Sequence, residues 1–294
     1  MDVQKKVMSL FFFVCDLHGQ IDRYEKLFQA IERETPGAVF IGGDLTPAGF
    51  GSSRGGVSSR TDFFSDILLN GFGQLKQRLG NDYPDIFLIL GNDDVRKDET
   101  DYIRAESNGV WFYMHDRKIV FKDYWVFGYS TVPPTPFLLK DWEHYDVSRH
   151  VDPGCISPED GWRTVPVEKN HLRFATIKND LDHLVGKDDL SKAIMLFHTP
   201  PYRTKLDRAA LDGKVIDNVP LDVHVGSIAV RRLIEDRQPL ITLHGHIHES
   251  ARITGSWKDR IGNTYLFSAA HDGPELALVR FDPEYPQRAT REII

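Results

Sequence analysis

At 294 residues, with 41% hydrophobic and 27% charged positions, the chain has the composition of a globular protein able to bury a large core. A formal net charge of −7 argues against a general binder of nucleic acid or of membrane surfaces, which carries basic excess to meet phosphate. It leaves room for a small anionic substrate, because divalent ions in a cleft outweigh the local protein charge.

The two cysteines, Cys15 and Cys155, are too few for a disulfide scaffold, and nothing in their number demands oxidation, so the expected location is cytoplasmic. Lys5-Lys6 and the apolar residues after them superficially resemble a signal peptide. The run is short, lacks small residues before a cleavage point, and reads instead as a buried strand over 9–15. No stretch approaches the ~20 apolar residues needed to span a bilayer.

Asp16-Leu17-His18-Gly19 follows that first strand at once. Ile21, Tyr24, Leu27, Phe28 and Ile31 recur at helical spacing and predict an amphipathic helix over 20–34. A strand over 38–41, closed by Gly42-Gly43-Asp44, completes a βαβ unit. Residues 48–60, rich in Gly and Ser and carrying Arg54 and Arg60, read as a flexible surface loop or as a flap whose arginines meet a phosphate. A helix over 61–79, with Gly71 and Gly73 as candidate breaks, precedes a strand over 86–90 that ends in Gly91-Asn92-Asp93-Asp94.

Two apolar runs around Lys122-Asp123 predict a hairpin over 119–128. Residues 130–167 hold many prolines with Trp142, His144, His150 and Trp162 and no periodicity. They read as an irregular insertion over the core, either a substrate cap or a loop without function. A helix over 168–185 and a strand over 193–197 follow, the strand closed by His198-Thr199-Pro200-Pro201. His224-Val225-Gly226-Ser227 opens a helix over 228–237, and a strand over 240–243 runs into His244-Gly245-His246-Ile247-His248-Glu249. Strands over 264–268 and 275–281 finish the pattern, and Pro283 and Pro286 predict a frayed tail. No repeat and no linker is evident, so a single domain over 1–294 is expected, with the insertion at about 130–167.

Asp16 with His18, Asp44, Asn92, His198, and His246 with His248 each lie just past the carboxyl end of a predicted strand. In open α/β sheets such ends share one crevice. Residues two apart point the same way on an extended chain, so each pair is expected to aim both side chains into that crevice. Alone, the histidines at 246 and 248 read equally well as a polar strand end. Two carboxylates, one amide and four imidazoles together suit Mn, Fe or Zn better than Ca or Mg, and exceed what one structural zinc needs, so two ions are expected.

The ordered blocks DLHG, GGD, GND, H and GHIH, spanning Asp16 to His248, resemble those of the calcineurin-like metallophosphoesterases. The resemblance implies an α/β fold, a four-layer αββα sandwich of two mixed sheets flanked by helices. It implies that Asp16, His18 and His248 hold one ion, that Asn92, His198 and His246 hold the other, and that Asp44 bridges them. His198-Thr199-Pro200-Pro201 with His224-x-Gly226-Ser227 is similar to a small bacterial and archaeal group of uncharacterised members. The implied activity is hydrolysis of a small phosphate ester, a phosphodiester or nucleotide-like phosphate rather than a phosphoprotein, by a metal-bound hydroxide.

One position departs from the family pattern: Asp93 stands where the resemblance calls for a histidine that contacts substrate and protonates the leaving group. An aspartate beside two cations is expected to be an anion and a poor general acid, a deficit of about 10² to 10⁴-fold. Leaving groups that depart without a proton are then favoured, unless His224 or His271 supplies one. His224 is the better placed, since it precedes a helix amino terminus. The competing reading is a catalytically weak metal-binding scaffold or regulatory protein of the same fold; Asp93 favours it, and the complete set of seven ligands opposes it.

Overall fold

Phe11-Phe12-Phe13-Val14 has no polar alternation, so a strand built from it must be covered on both faces. In the computed structural model, which describes residues 9–47 and 63–294, it is covered on both. Lys5-Lys6, the loop expected at 48–60 and the start of the helix expected at 61 lie outside the described residues.

The described chain runs through β1 (Phe11–Val14), a helix (Ile21–Glu34) and β2 (Ala38–Gly42). A π-helical segment (Phe63–Leu69) passes into an α-helix (Asn70–Leu79), followed by β3 (Asp85–Ile89), a helix (Glu99–Glu106) and β4 (Phe112–Tyr113). The hairpin of β5 (Arg117–Phe121) and β6 (Tyr124–Tyr129) precedes two helices (Lys169–Phe174 and Ile177–Val185), β7 (Ala193–Phe197) and a small hairpin of β8 (Val215–Ile216) and β9 (Val219–Pro220). After the helix Ile228–Arg237 come β10 (Ile241–His244), the short helix Ser250–Thr254, β11 (Lys258–Ile261), β12 (Thr264–Ser268), β13 (Ala277–Phe281) and β14 (Thr290–Ile293).

Two mixed six-stranded sheets result, ordered β14-β13-β1-β2-β3-β4 and β11-β12-β10-β7-β6-β5. Strands β1 to β4 are parallel, with β13 and β14 added antiparallel. In the second sheet β12, β10, β7 and β6 are parallel and the edges β11 and β5 are antiparallel.

Side-chain alternation along β1 then sorts the layers. Phe11 and Phe13 enter the space between the sheets with Phe40, Phe87, Leu196 and Leu243. Phe12 and Val14 face outward against Tyr24, Leu27 and Ile31 of the first helix and Phe72 and Leu75 of the next. On the far face of the second sheet, Phe127 and Met195 meet Leu181, Val230 and Ile234. The result is the α/β four-layer sandwich, helices outside and sheets inside. Each fully buried side chain of this size contributes roughly 1.5 to 3 kcal/mol.

Three local expectations change. The helix expected over 168–185 is two, because Ala175 and Thr176 are extended and the Thr176 hydroxyl caps the second helix by accepting from the Asn179 N–H at 3.2 Å. Gly71 and Gly73 do not break their helix; a Cβ at Gly71 would stand 2.8 Å from the Phe28 ring, so the glycine lets two helices approach. The tail is not frayed. Thr290–Ile293 pairs with β13 as the edge strand, and the Arg291 guanidinium donates to the Ala270 carbonyl at 2.6 Å.

Within 130–167 the chain is largely irregular, as expected, yet tightly held. Lys140 and Glu143 form a buried pair at 2.6 Å, the Glu143 carboxylate accepts from the Thr135 N–H, and Trp142 is fully buried.

Candidate metal centre

The strands whose ends carry the expected ligands belong to both sheets. Asp16, Asp44 and Asn92 follow β1, β2 and β3 in one; His198 and His246 follow β7 and β10 in the other. The expected shared crevice is therefore a seam where the carboxyl edges of two packed sheets meet. Extended alternation does not aim the side chains either. Asp16, His18, Asp44 and His246 all take positive φ, 55°, 46°, 52° and 72°, so the backbone turns sharply as it leaves each strand. Left-handed conformations are uncommon outside glycine and cost about 1 to 3 kcal/mol each, and they cluster at functional sites.

All seven expected ligands come together. Ligand atoms of Asp16, His18, Asp44 and His248 lie within 4.8 Å of one another. His18 Nε2 is 3.1 Å from His248 Nε2, and His248 Nε2 is 3.5 Å from Asp16 Oδ1. Asp44 Oδ2 is 3.8 Å from His18 Nε2 and 3.3 Å from His198 Nε2. Beyond it, His198 Nε2 lies 3.0 Å from Asn92 Oδ1, and the His198 and His246 rings are 5.1 Å apart. Asp44 thus stands between an Asp16–His18–His248 group and an Asn92–His198–His246 group.

The donor set fits a metal on its chemistry. His198 donates Nδ1–H to the Gly42 carbonyl at 2.7 Å, which fixes the ring with Nε2 facing Asp44 and Asn92. Asp16 is held by the His246 N–H at 3.0 and 3.2 Å to its two oxygens. Burial alone would raise Asp16 and Asp44, but the surrounding histidines outweigh it, holding Asp16 well below the carboxylate range and Asp44 at about 2. Burial likewise acts to lower His198 and His248, yet Asp44 lifts His198 to about 10 and Asp16 lifts His248 to about 9. Burial and the neighbouring His198 push His246 down to about 3. Without metal, protons on His198 and His248 supply the positive charge that the buried carboxylates require, and metal binding would release them.

The sequence profile of the calcineurin-like phosphoesterases matches residues 10–250. The chain belongs to that family. Two solved structures share its fold: TT1561 of Thermus thermophilus, with a TM-score of 0.55 and 15% identity over 98% of this chain and 99% of that one, and another with a TM-score of 0.60 and 14% identity at the same coverage. The uncharacterized protein MJ1162 of Methanocaldococcus jannaschii is 40% identical over 99 residues, 33% of this chain, and the match spans 38% of that protein's length. Among the described residues no helix is long and apolar enough to cross a membrane.

Against the family pattern, Asp93 keeps a place beside the cluster. Its side chain is 32% exposed, with Oδ2 3.5 Å from His18 Nδ1, and Oδ1 accepts from the Asn92 amide at 3.0 Å. Burial and then Asp44 raise it to about 6, the direction opposite to the one two cations would impose.

His224 is anchored through Nδ1, which lies 2.8 Å from Oδ1 of buried Asp207. His271 is engaged through Nε2 with Glu275 at 3.1 Å. His244, the first histidine of its block, is a core residue stacked on Phe197, donating to the Thr199 carbonyl at 2.9 Å and accepting from the Thr242 hydroxyl at 2.8 Å.

Asp94, unmarked in the sequence, organises the centre. It is buried and accepts from the Gly91, Leu45 and Thr46 N–H groups and from the Thr46 hydroxyl, joining the loop after β2 to the loop after β3. No periodic signal separates it from Asp93 beside it. Asp207 was equally silent, since only the folded loop brings it to His224.

Proposed function

We propose that this chain is a dinuclear metal-dependent phosphoesterase acting on a phosphodiester or a nucleotide-like phosphate. The observation that carries this reading is Asp44 standing between two groups of N and O donors, 3.8 Å from His18 Nε2 and 3.3 Å from His198 Nε2. Asp16, His18 and His248 would hold one ion, Asn92, His198 and His246 the other, and Asp44 would join them. The mixture of imidazole and carboxylate favours Mn, Fe or Zn. When bound, such a pair polarises the phosphoryl group and makes water a nucleophile near neutral pH.

The chain's own residues prepare the rest. Gly42 holds the His198 tautomer, the His246 N–H orients Asp16, and Asp94 keeps the Asp44 and Asn92 loops in register. The Asp93 carboxylate, partly exposed beside His18, opposes a dianionic monoester more than a monoanionic diester, which favours diesters over monoesters.

Mn²⁺-dependent hydrolysis of an aryl phosphodiester and an aryl phosphomonoester tests the reading, with Asp44→Ala as control. Robust turnover, greater on the diester and lost in the control, is expected; equal activity in both proteins would overturn it. Asp93 in place of the family's histidine supports a second reading, a metal-binding scaffold, which predicts two bound metals and no turnover.

A further inference from the structure

Cleavage of a phosphate ester leaves an oxygen that needs a proton, and Asp93 stands where the family pattern would put its donor. We propose that His224 donates that proton and that the buried carboxylate of Asp207 positions it, a role that rests on the hydrolytic reading above and extends it. Asp207 is fully buried and accepts four hydrogen bonds: from the Arg203 N–H at 2.8 Å, the Thr204 N–H at 2.9 Å, the Gly226 N–H at 3.2 Å and His224 Nδ1–H at 2.8 Å. A carboxylate offers no donor in return, so Nδ1–H donates to Asp207 and fixes the ring, and among the described residues Nε2 makes no hydrogen bond. His224 itself is 28% exposed. A partly exposed imidazole oriented by a buried acid is the arrangement that acid–base catalysis uses.

The loop that carries His224 is tied to both metal-ligand loops of the second sheet. The Ser227 N–H donates to the Pro200 carbonyl, two residues after His198, at 2.8 Å. A Cβ on Gly226 would lie 2.6 Å from that carbonyl, so only glycine lets the segments approach this closely. At the other end, Ala209 N–H donates to the Val223 carbonyl, and Ala210 N–H donates to Glu249, the neighbour of His248, at 3.0 Å. His224 therefore stands on the rim formed by the ends of β7 and β10, whereas Asp93 stands on the rim of β3. The proton source has passed from the wall of one sheet to that of the other. Its charged surroundings, besides Asp207, are Asp222, whose carboxylate accepts the His224 N–H at 2.9 Å, and Arg208, which bridges to it through the backbone.

The step balances simply. As the oxygen of a water molecule bonds to phosphorus and that water's proton passes to solvent, the P–O bond to the leaving group breaks, and its electron pair stays on the departing oxygen, which takes the proton from Nε2 of the His224 imidazolium. The imidazole regains a proton from solvent, and Asp207 remains a carboxylate throughout.

A series of aryl phosphodiesters with leaving phenols of rising pKa, hydrolysed by the Mn²⁺-loaded protein, tests this. His224→Ala is expected to lose about 10²-fold in kcat on the least acidic phenol and under about threefold on a dinitrophenol, with metal content unchanged. Added imidazole should restore turnover in His224→Ala but not in Asp44→Ala. Asp207→Asn should steepen the leaving-group dependence in the same sense, in kcat rather than KM. Should Asp207→Asn disturb the loop, His224→Ala decides, because it leaves the three backbone bonds to Asp207 in place. An active His224→Ala protein with equal losses on every ester and no rescue overturns this proposal alone. A wild type without turnover on any ester overturns the hydrolytic reading and this one with it.

Discussion

The backbone N–H of Asp93 donates to Oδ1 of Asp44 at 2.8 Å, which leaves Oδ2 of Asp44 turned to His198 at 3.3 Å. One carboxylate is thus oriented by the loop after β3 while it serves a histidine from the other sheet. Asp44→Ala removes the negative charge that lifts His198 to about 10, so in the metal-free protein the His198 titration should move down toward neutrality, readable by NMR. Metal stoichiometry, measured by elemental analysis after dialysis, should fall below that of wild type.

Asp94→Ala strips an acceptor from three backbone N–H groups and a hydroxyl, all within the buried junction of two ligand loops. Leaving such donors unpaired costs about 1 to 3 kcal/mol each before the loops relax, so a loss of roughly 3 kcal/mol in urea unfolding is expected. Metal affinity should fall about 10 to 100-fold, the usual penalty for losing a group that supports a ligand. Unchanged affinity would show that the ligand loops hold their places without it.

Gly91→Ala would place a Cβ 2.2 Å from Asp44 Oδ1 and 2.7 Å from the His198 ring, with no flexible side-chain end to yield. Both Asp44, whose backbone nitrogen would also lie 2.5 Å away, and His198 must then shift from position 91. Expected is a protein that folds with both sheets intact by circular dichroism but binds metal more weakly than wild type in a calorimetric titration.

His244 gives the stability a pH dependence of defined sign. Burial pushes it to about 4, below its ordinary value near 6.5, because the core holds it neutral. As pH falls from 6.5 toward 4, the unfolded chain takes up a proton that the folded chain refuses, so the stability present above 6.5 is lost, on the order of 3 kcal/mol from this residue. His244→Asn, which retains a donor and an acceptor, should unfold in urea with a shallower loss between pH 7 and pH 4.5. An identical slope in both proteins would assign the effect elsewhere.

Much of the sandwich was legible because its signals are local. Continuous apolar runs such as Phe11–Val14 can be satisfied only by burial on both faces, and helical spacing from Ile21 to Ile31 needs no distant information. The seven candidate donors were legible for a related reason: each follows closely on such a run, and their residue types together point to one chemistry. The tail was misread because Pro283 and Pro286 mark a local break, whereas β14 exists through its pairing with β13.

The chain by itself determined which apolar runs are buried strands, which of their ends carry imidazole, carboxylate and amide donors, and that Asp93 departs from the family pattern. Tertiary structure alone decided that these donors gather from two sheets rather than one, so that His18 meets His248 across 230 residues of sequence. It also decided that Asp94 and Asp207 are buried acceptors rather than surface acids. Hydrophobic periodicity reports how one segment faces its nearest layer. The choice of sheet, the left-handed turns that aim Asp16 and His246, and the partner of a buried carboxylate depend on which distant backbone groups arrive beside them.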